Sequence, residues 1–163
     1  TSATCGLAIG DTYQGGIIFY LDSSGCHGLI CASTDQGNSI QWYNNYTITN
    51  AVRDGIGAGI FNTERMIISQ MVGNYAAQVC ANYQGGNYGD WYLPSLYECN
   101  LIFQNIGDEN SGLGNPAGLN VNGYYWSSSE IDVDAAWRVH LYYGMEEWSG
   151  KQEQASVRAI RAF

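Results

Sequence analysis

The stretch from Gly89 to Glu98 constrains the fold of this chain more than any other segment. It reads Gly-Asp-Trp-Tyr-Leu-Pro-Ser-Leu-Tyr-Glu, so an aromatic, strand-like run leads through a proline into the pattern Ser-x-x-Glu. In that pattern the Ser95 hydroxyl accepts a hydrogen bond from the Glu98 amide, and the Glu98 carboxylate accepts one from the Ser95 amide. The segment therefore predicts a strand followed at once by a capped helix, with Cys99 on the inner side of that helix.

The N-terminal third predicts a β-hairpin followed by an ordered loop. The β-rich run 15–22 is followed by the turn Ser23-Ser24-Gly25, and 28–32 is its antiparallel partner. The segment 36–59 is rich in Asn, Gly and Tyr, with one short strand at 40–43. Glycines 55, 57 and 59 lack the spacing of a phosphate-binding loop and indicate a turn.

A long helix is predicted from Thr63 to Tyr83, ended by Gly85-Gly86, because apolar residues recur there at a spacing of three or four. These residues are Ile68, Val72, Tyr75, Val79 and Tyr83. After a Gly/Asn-rich loop at 108–123, three strands are predicted at 124–128, 136–143 and 156–163. A hairpin, helices and then a run of strands favour an α+β fold in one domain.

Charge and composition narrow the functional classes. Charged residues make up 13% of the 163 residues, and the net charge is −9, which repels nucleic acids and anionic lipids at long range. No apolar run approaches the roughly 20 residues that a membrane-spanning helix needs, and no signal peptide is present. We expect a secreted or cell-surface protein, and a fragment of a longer precursor.

Five cysteines in a chain so poor in lysine and glutamate indicate an oxidising compartment. They are Cys5, Cys26, Cys31, Cys80 and Cys99. Two arrangements stay open: four of them pair and one is left over, or they are buried free thiols.

Several motifs, in one order along nearly the whole chain, resemble the bacterial C-terminal domain family named after the Legionella collagen-like protein, an adhesin. The matching pieces are Gly10-Asp11-x-Tyr13-x-Gly15-Gly16-x-x-Phe19-Tyr20-Leu21-Asp22, His27-Gly28-Leu29, Trp91-x-Leu93-Pro94-Ser95-x-x-Glu98, Tyr125-Trp126-Ser127-Ser128-x-Glu130 and Val157-Arg158-Ala159-x-Arg161.

This resemblance implies a C-type-lectin-like fold, with two helices packed on antiparallel sheets and long ordered loops. Residues 1–9 would be a segment next to a collagen-like stalk, and 10–163 a single adhesin domain. The resemblance also implies a homotrimer that binds sulfated glycosaminoglycans. Trp91, Leu93 and Trp126 are expected to fill the core, while Pro94 and Glu98 fix the helix entry.

The basic residues of the C-terminal third are the predicted ligand contacts, since guanidinium groups bind sulfates and aromatic faces stack on sugar rings. The contacts are Arg138, His140, Lys151, Arg158 and Arg161, with Trp137, Tyr142, Tyr143 and Trp148 as stacking partners. Arg138 and His140 share one face if their segment is a strand. The alternative is that Arg158 and Arg161 neutralise acidic neighbours such as Glu98 or Glu130.

Calcium is a weaker prediction, made from carboxylates in loops. The candidate ligands are Asp108, Glu109, Glu130, Asp132 and Asp134. The Glu-Pro-Asn and Trp-Asn-Asp signatures of calcium-dependent C-type lectins are missing, so our expectation is no cofactor.

Two other functional classes remain open. One is a cap that only nucleates a collagen-like trimer. The other is an enzyme like the formylglycine-generating oxidases, which needs accessible, reactive cysteines. The chain contains only two histidines. It has no nucleophile elbow and no Cys-x-x-Cys or His-Glu-x-x-His motif, so we expect no catalysis.

Overall fold

The computed structural model describes residues 5–107 and 111–163, which form an α+β domain of two sheets and a few short helices. The predicted α+β class is confirmed. The strands are β1 (Thr12–Tyr13), β2 (Gly16–Leu21), β3 (Gly28–Ala32), β4 (Gly37–Gln41), β5 (Tyr124–Glu130), β6 (Ala135–His140), β7 (Met145–Gly150), β8 (Gln154–Val157) and β9 (Ile160–Ala162). The α-helices are α1 (Ala58–Gln70), α2 (Ala76–Ala81) and α3 (Leu96–Ile102).

The first sheet joins the two ends of the described chain. Its strand order is β1-β2-β3-β9, and the predicted hairpin is confirmed by the antiparallel β2–β3 pair. Strand β9 adds to β3 in antiparallel register, with Ile30 opposite Arg161. A disulfide between Cys5 and Cys26, with their Cα atoms 5.2 Å apart, fastens the N-terminal segment to the hairpin turn.

The second sheet has the order β4-β8-β5-β6-β7 and corrects the predicted strands in three places. Strand β6 ends at His140, and the tight turn 141–144 leads into β7, which was not predicted. The single strand predicted at 156–163 is two strands, β8 and β9, in different sheets. The chain changes sheets at Arg158 and Ala159.

The predicted helix from Thr63 to Tyr83 is wrong in its extent. The chain leaves α1 after Gln70, and Met71 adopts a left-handed φ of 64° before α2 begins at Ala76. The Gln70 side chain is buried, and its Oε1 accepts from the amides of Asn44 and Asn45. These polar bonds to a distant loop fix the helix end, whereas the apolar spacing predicted a continuous helix.

The capping box at the start of α3 is confirmed. Ser95 Oγ accepts from the Glu98 amide at 3.3 Å, and the Ser95 amide donates to Glu98 Oε2 at 2.8 Å. The same carboxylate accepts from the amides of Gly57 at 2.7 Å and Gly59 at 3.2 Å. Glu98 therefore joins the beginnings of two helices, and the Gly57 and Gly59 amides of the glycine-rich turn already donate to its carboxylate.

The core lies between the sheets and the helices. Trp91, Leu93 and Trp126 are buried, which confirms their predicted place in the core, and Cys99 is buried on α3. Trp126 Nε1 donates to the Ile40 carbonyl at 2.9 Å, which ties β5 to β4. In the part of the chain described, no helix is long and apolar enough to span a membrane.

Candidate functional site at the end of strand β6

The structure corrects the prediction for three of the basic ligand contacts, because they are engaged inside the fold. Lys151 is 1% exposed, and its Nζ lies 2.6 Å from Glu130 Oε1. Arg158 is 3% exposed and pairs with Asp35 at 2.7 Å. Neither residue presents its charge at the surface.

Arg161 is 9% exposed and pairs with Asp90, and its guanidinium lies 3.7 Å from the centre of the Tyr88 ring. The alternative that Arg158 and Arg161 neutralise acidic residues is therefore confirmed, although their partners are Asp35 and Asp90. These partners come from distant loops, which spacing along the chain does not reveal.

Arg138 and His140 do share one face of β6, as predicted from strand alternation. The Arg138 guanidinium lies 3.9 Å from the centre of the Tyr124 ring on β5. Its Nε and Nη2 donate to Glu147 Oε2 on β7 at 3.1 and 3.0 Å. The His140 ring is 4.6 Å from the Tyr124 ring, at an angle of 78°.

Two exposed tyrosines extend this face into the β6–β7 turn. Tyr143 lies 5.2 Å from the His140 ring, and Tyr142 lies 4.8 Å from the Tyr143 ring. Tyr142 is 59% exposed and Tyr143 is 66% exposed. We call this set the tyrosine surface, and its members are Tyr124, Arg138, His140, Tyr142 and Tyr143.

The other two predicted stacking residues lie on the opposite face of the sheet. Trp137 and Trp148 are opposite one another on β6 and β7, and Trp137 packs on the core beneath α3. Trp148 is 66% exposed. Because neighbouring strand residues point to opposite faces, neither tryptophan can act on a ligand together with Arg138.

The tyrosine surface offers ring faces and little net charge. Glu147 neutralises Arg138, and in the described ranges His140 Nδ1 is buried without a hydrogen-bond partner. Such a surface can stack on the C–H faces of a sugar ring, with the remaining guanidinium nitrogen and the imidazole as polar groups.

The carboxylates predicted as calcium ligands have protein partners where they are described. Glu130 Oε2 accepts from the Thr49 and Asn50 amides, Asp132 Oδ1 from the amides of Asp134 and Ala135, and Asp134 Oδ1 from the Tyr46 hydroxyl. Asp108 and Glu109 lie outside the described residues. Within the described ranges, no three His, Cys, Asp or Glu side chains are grouped to hold a metal ion.

Of the two arrangements left open for the cysteines, disulfide pairing and buried free thiols, each occurs in part. Cys5 and Cys26 form a disulfide, whereas Cys31, Cys80 and Cys99 are buried free thiols. Burial raises the pKa of Cys31 to about 12 and raises those of Cys80 and Cys99 well above their ordinary value. The three thiols are therefore protonated at neutral pH, which is unfavourable for the nucleophile that an oxidase-like enzyme needs.

Two arginines that the sequence did not single out are the cations left without a carboxylate partner in the described part of the chain. Arg53 and Arg65 line a groove of about 410 Å³ together with Phe61, Glu64 and Ile68. The Arg53 guanidinium lies 4.5 Å from the centre of the Phe61 ring. Composition pointed to the C-terminal third, and only the fold shows that its basic residues are already paired.

No family model matches this chain, and no curated protein matches it either. Among solved structures it is similar to a fimbrial protein from Bacteroides ovatus ATCC 8483, with a TM-score of 0.54 and 14% sequence identity. The match covers 83% of this chain and 36% of that one, so this chain spans about a third of the fimbrial protein's length. At this identity the likeness concerns the fold.

Proposed function

We propose that this chain is a C-type-lectin-like domain of a bacterial surface adhesin that binds sulfated polysaccharides through the tyrosine surface. The observation that carries the proposal is the continuous contact of the Tyr124, His140, Tyr143 and Tyr142 rings beside Arg138. A surface location is compatible with the fold that the chain shares with a fimbrial protein.

The ring faces and polar atoms of this surface that have no protein partner determine which ligand it can bind. Tyr142 and Tyr143 expose more than half of their surface, so a sugar ring can stack on them without displacing protein atoms. Glu147 holds Nε and Nη2 of Arg138, which leaves Nη1 for a sulfate oxygen. The net charge of −9 repels polyanions at long range. We therefore expect binding only where a sulfate group can reach Arg138 and His140 directly.

Binding to immobilised heparin tests the proposal. Replacing Tyr143 with Ala should weaken binding about tenfold, or roughly 1.4 kcal/mol, and binding should fall as NaCl rises. Tyr97→Ala is the matched control, since Tyr97 is 47% exposed but lies on α3. Equal loss in both variants, or binding that rises with NaCl, would count against the tyrosine surface.

A glycan array with and without EDTA separates the remaining ligand classes. We expect desulfated chains to lose binding and EDTA to have no effect, because this surface contains no carboxylate set suited to calcium. The homotrimer implied by the family resemblance stays a prediction, and light scattering on the same sample tests it.

A further inference from the structure

A groove of about 410 Å³ lies between α1 and the loop that precedes it. It is lined by Arg53 and Arg65, the two basic residues that form no ion pair within the described ranges. We call it the Arg53–Arg65 groove. Its volume falls within the roughly 300–1,000 Å³ that small-molecule sites occupy in proteins. The groove shares no residue with the tyrosine surface, so it is a separate candidate site.

Buried polar side chains fix the loop wall of the groove. The Asn62 side chain is fully buried, and its Oδ1 accepts from the Arg53 amide at 3.0 Å while its Nδ2 donates to the Arg53 carbonyl at 2.7 Å. The Glu130 carboxylate accepts from the amides of Thr49 and Asn50. The loop is therefore held against α1 without a ligand, which lowers the entropic cost of binding one.

Two guanidinium groups belong to neighbouring positions of this groove. The Arg53 guanidinium lies 4.5 Å from the centre of the Phe61 ring. Arg65 follows Phe61 by four residues, so these two helix residues are on the same face of α1, about 6 Å apart along its axis. Both arginines are exposed. The groove thus offers two cationic forks, one of which is oriented by an aromatic ring.

The other charges around the groove limit how much negative charge a ligand can carry. Glu64 lines the groove, so its carboxylate and the two guanidinium groups leave one net positive charge there. Asp54 lines the adjoining pocket and accepts from the Tyr97 amide, and Glu130 is paired with Lys151. A ligand with one carboxylate matches this balance. A densely sulfated chain meets Glu64 and the net charge of −9 of the whole chain.

The hydrogen-bonding groups of the groove favour a sugar over a peptide. An extended peptide is recognised through free backbone groups. The backbone of α1 is bonded within the helix, and the amides of Thr49 and Asn50 donate to Glu130. The groove instead offers the side chains of Asn50, Glu64 and Ser69, and groups of these types bond to hydroxyls.

We propose that the Arg53–Arg65 groove binds an acidic sugar that carries one carboxylate. The carboxylate lies on the two guanidinium groups, whose planar forks match its two oxygens. The sugar hydroxyls bond to Asn50, Glu64 and Ser69. For a monosaccharide in an open groove we expect a Kd on the order of 1 mM. This site does not depend on sulfate binding at the tyrosine surface.

A titration followed by NMR tests the ligand class. The probe is methyl β-D-glucuronide, and methyl β-D-glucoside is its neutral counterpart. The glucuronide should shift the backbone amides of 49–53 and 61–69, whereas the glucoside should bind at least about tenfold more weakly. Added NaCl should weaken glucuronide binding, because the contact joins opposite charges.

Charge variants test the residues of the groove. Arg53→Gln and Arg65→Gln should each weaken glucuronide binding about tenfold, with unchanged circular dichroism because both side chains are exposed. Glu64→Gln should tighten binding about threefold, since it removes a like charge and keeps a hydrogen-bond acceptor. Local misfolding would not produce that gain. Glu153→Gln, an exposed acid on the β7–β8 turn, is the control and should leave the Kd unchanged.

Three results would overturn the proposal. They are equal binding of the glucuronide and the glucoside, shifts confined to the tyrosine surface, and binding of N-acetylglutamate as tight as that of the glucuronide. The last result would assign the groove to acidic peptides. Glucuronide binding that survives Tyr143→Ala while heparin binding is lost would show that the two sites act separately, as proposed.

Discussion

Lys151 Nζ lies 2.6 Å from Glu130 Oε1, and both side chains are buried. The ammonium group also lies 4.6 Å from the centre of the Trp42 ring. Glu130 accepts from the amides of Thr49 and Asn50, so the pair joins the loop after β4 to the end of β5 and to the β7–β8 turn. A residue predicted to contact a ligand is therefore a structural tie between three segments.

Replacing Lys151 with Met should destabilise the domain by about 3–5 kcal/mol, because it leaves the Glu130 carboxylate buried without its counter-ion. Urea unfolding measures this loss. The double variant with Glu130→Gln should regain most of it, since Gln still accepts from the loop amides. Glu147→Gln, at the partly exposed Arg138 pair, is the control and should cost no more than about 1 kcal/mol.

The sequence predicted correctly those elements that are determined by residues close together along the chain. The hairpin, the capping box at Ser95 and the shared face of Arg138 and His140 depend on residues close together along the chain. The length of α1 could not be predicted in this way, because Gln70 ends it through bonds to Asn44 and Asn45. Long-range polar contacts of this kind leave no periodic pattern.

The candidate site was predicted in part for the same reason. Tyr142 and Tyr143 follow directly from the position of β6, whereas Tyr124 joins them only through the pairing of β5 with β6. The sequence shows the charge of Lys151 but does not show that Glu130 lies beside it, so the sequence alone predicts Lys151 as a ligand contact. Nothing in the sequence distinguishes Arg53 and Arg65, because their lack of a carboxylate partner is a property of the folded chain.

Stability should depend on pH through Glu98. Burial raises the pKa of Glu98 above its ordinary 4.5, and hydrogen bonds from Ser95 and Gly57 offset part of that effect. A carboxyl with a raised folded-state pKa binds more protons when folded, so its contribution is full below pH 4.5 and is lost as pH rises through the folded-state value. In urea unfolding, the free energy of unfolding of the wild type minus that of Glu98→Gln should therefore be smaller at pH 7 than at pH 4.5. A difference that grows with pH would contradict the assignment.

Gly59 marks the close approach of α1 to the start of α3. A Cβ at this position would lie 2.7 Å from the Leu93 carbonyl oxygen and 2.8 Å from the Ser95 nitrogen. Both are backbone atoms, so Gly59→Ala should destabilise the domain by about 1–3 kcal/mol in thermal or urea unfolding. Gly89→Ala is the matched control, because a Cβ there meets no atom within 4 Å, and it should change stability by no more than about 0.5 kcal/mol.

The disulfide between Cys5 and Cys26 should be the one reducible link among the described cysteines, and its reduction should expose two reactive thiols. It closes a loop with a sequence separation of 21, for which the chain-entropy model gives about 3 kcal/mol of stabilisation. Alkylation followed by mass spectrometry should label no cysteine in the native oxidised protein and two after mild reduction, because Cys31, Cys80 and Cys99 are buried and protonated. Unfolding in the presence of the reductant should label all five. Cys26→Ser should lower the urea midpoint as reduction does, and rapid native labelling of Cys99 would show instead that α3 opens to solvent.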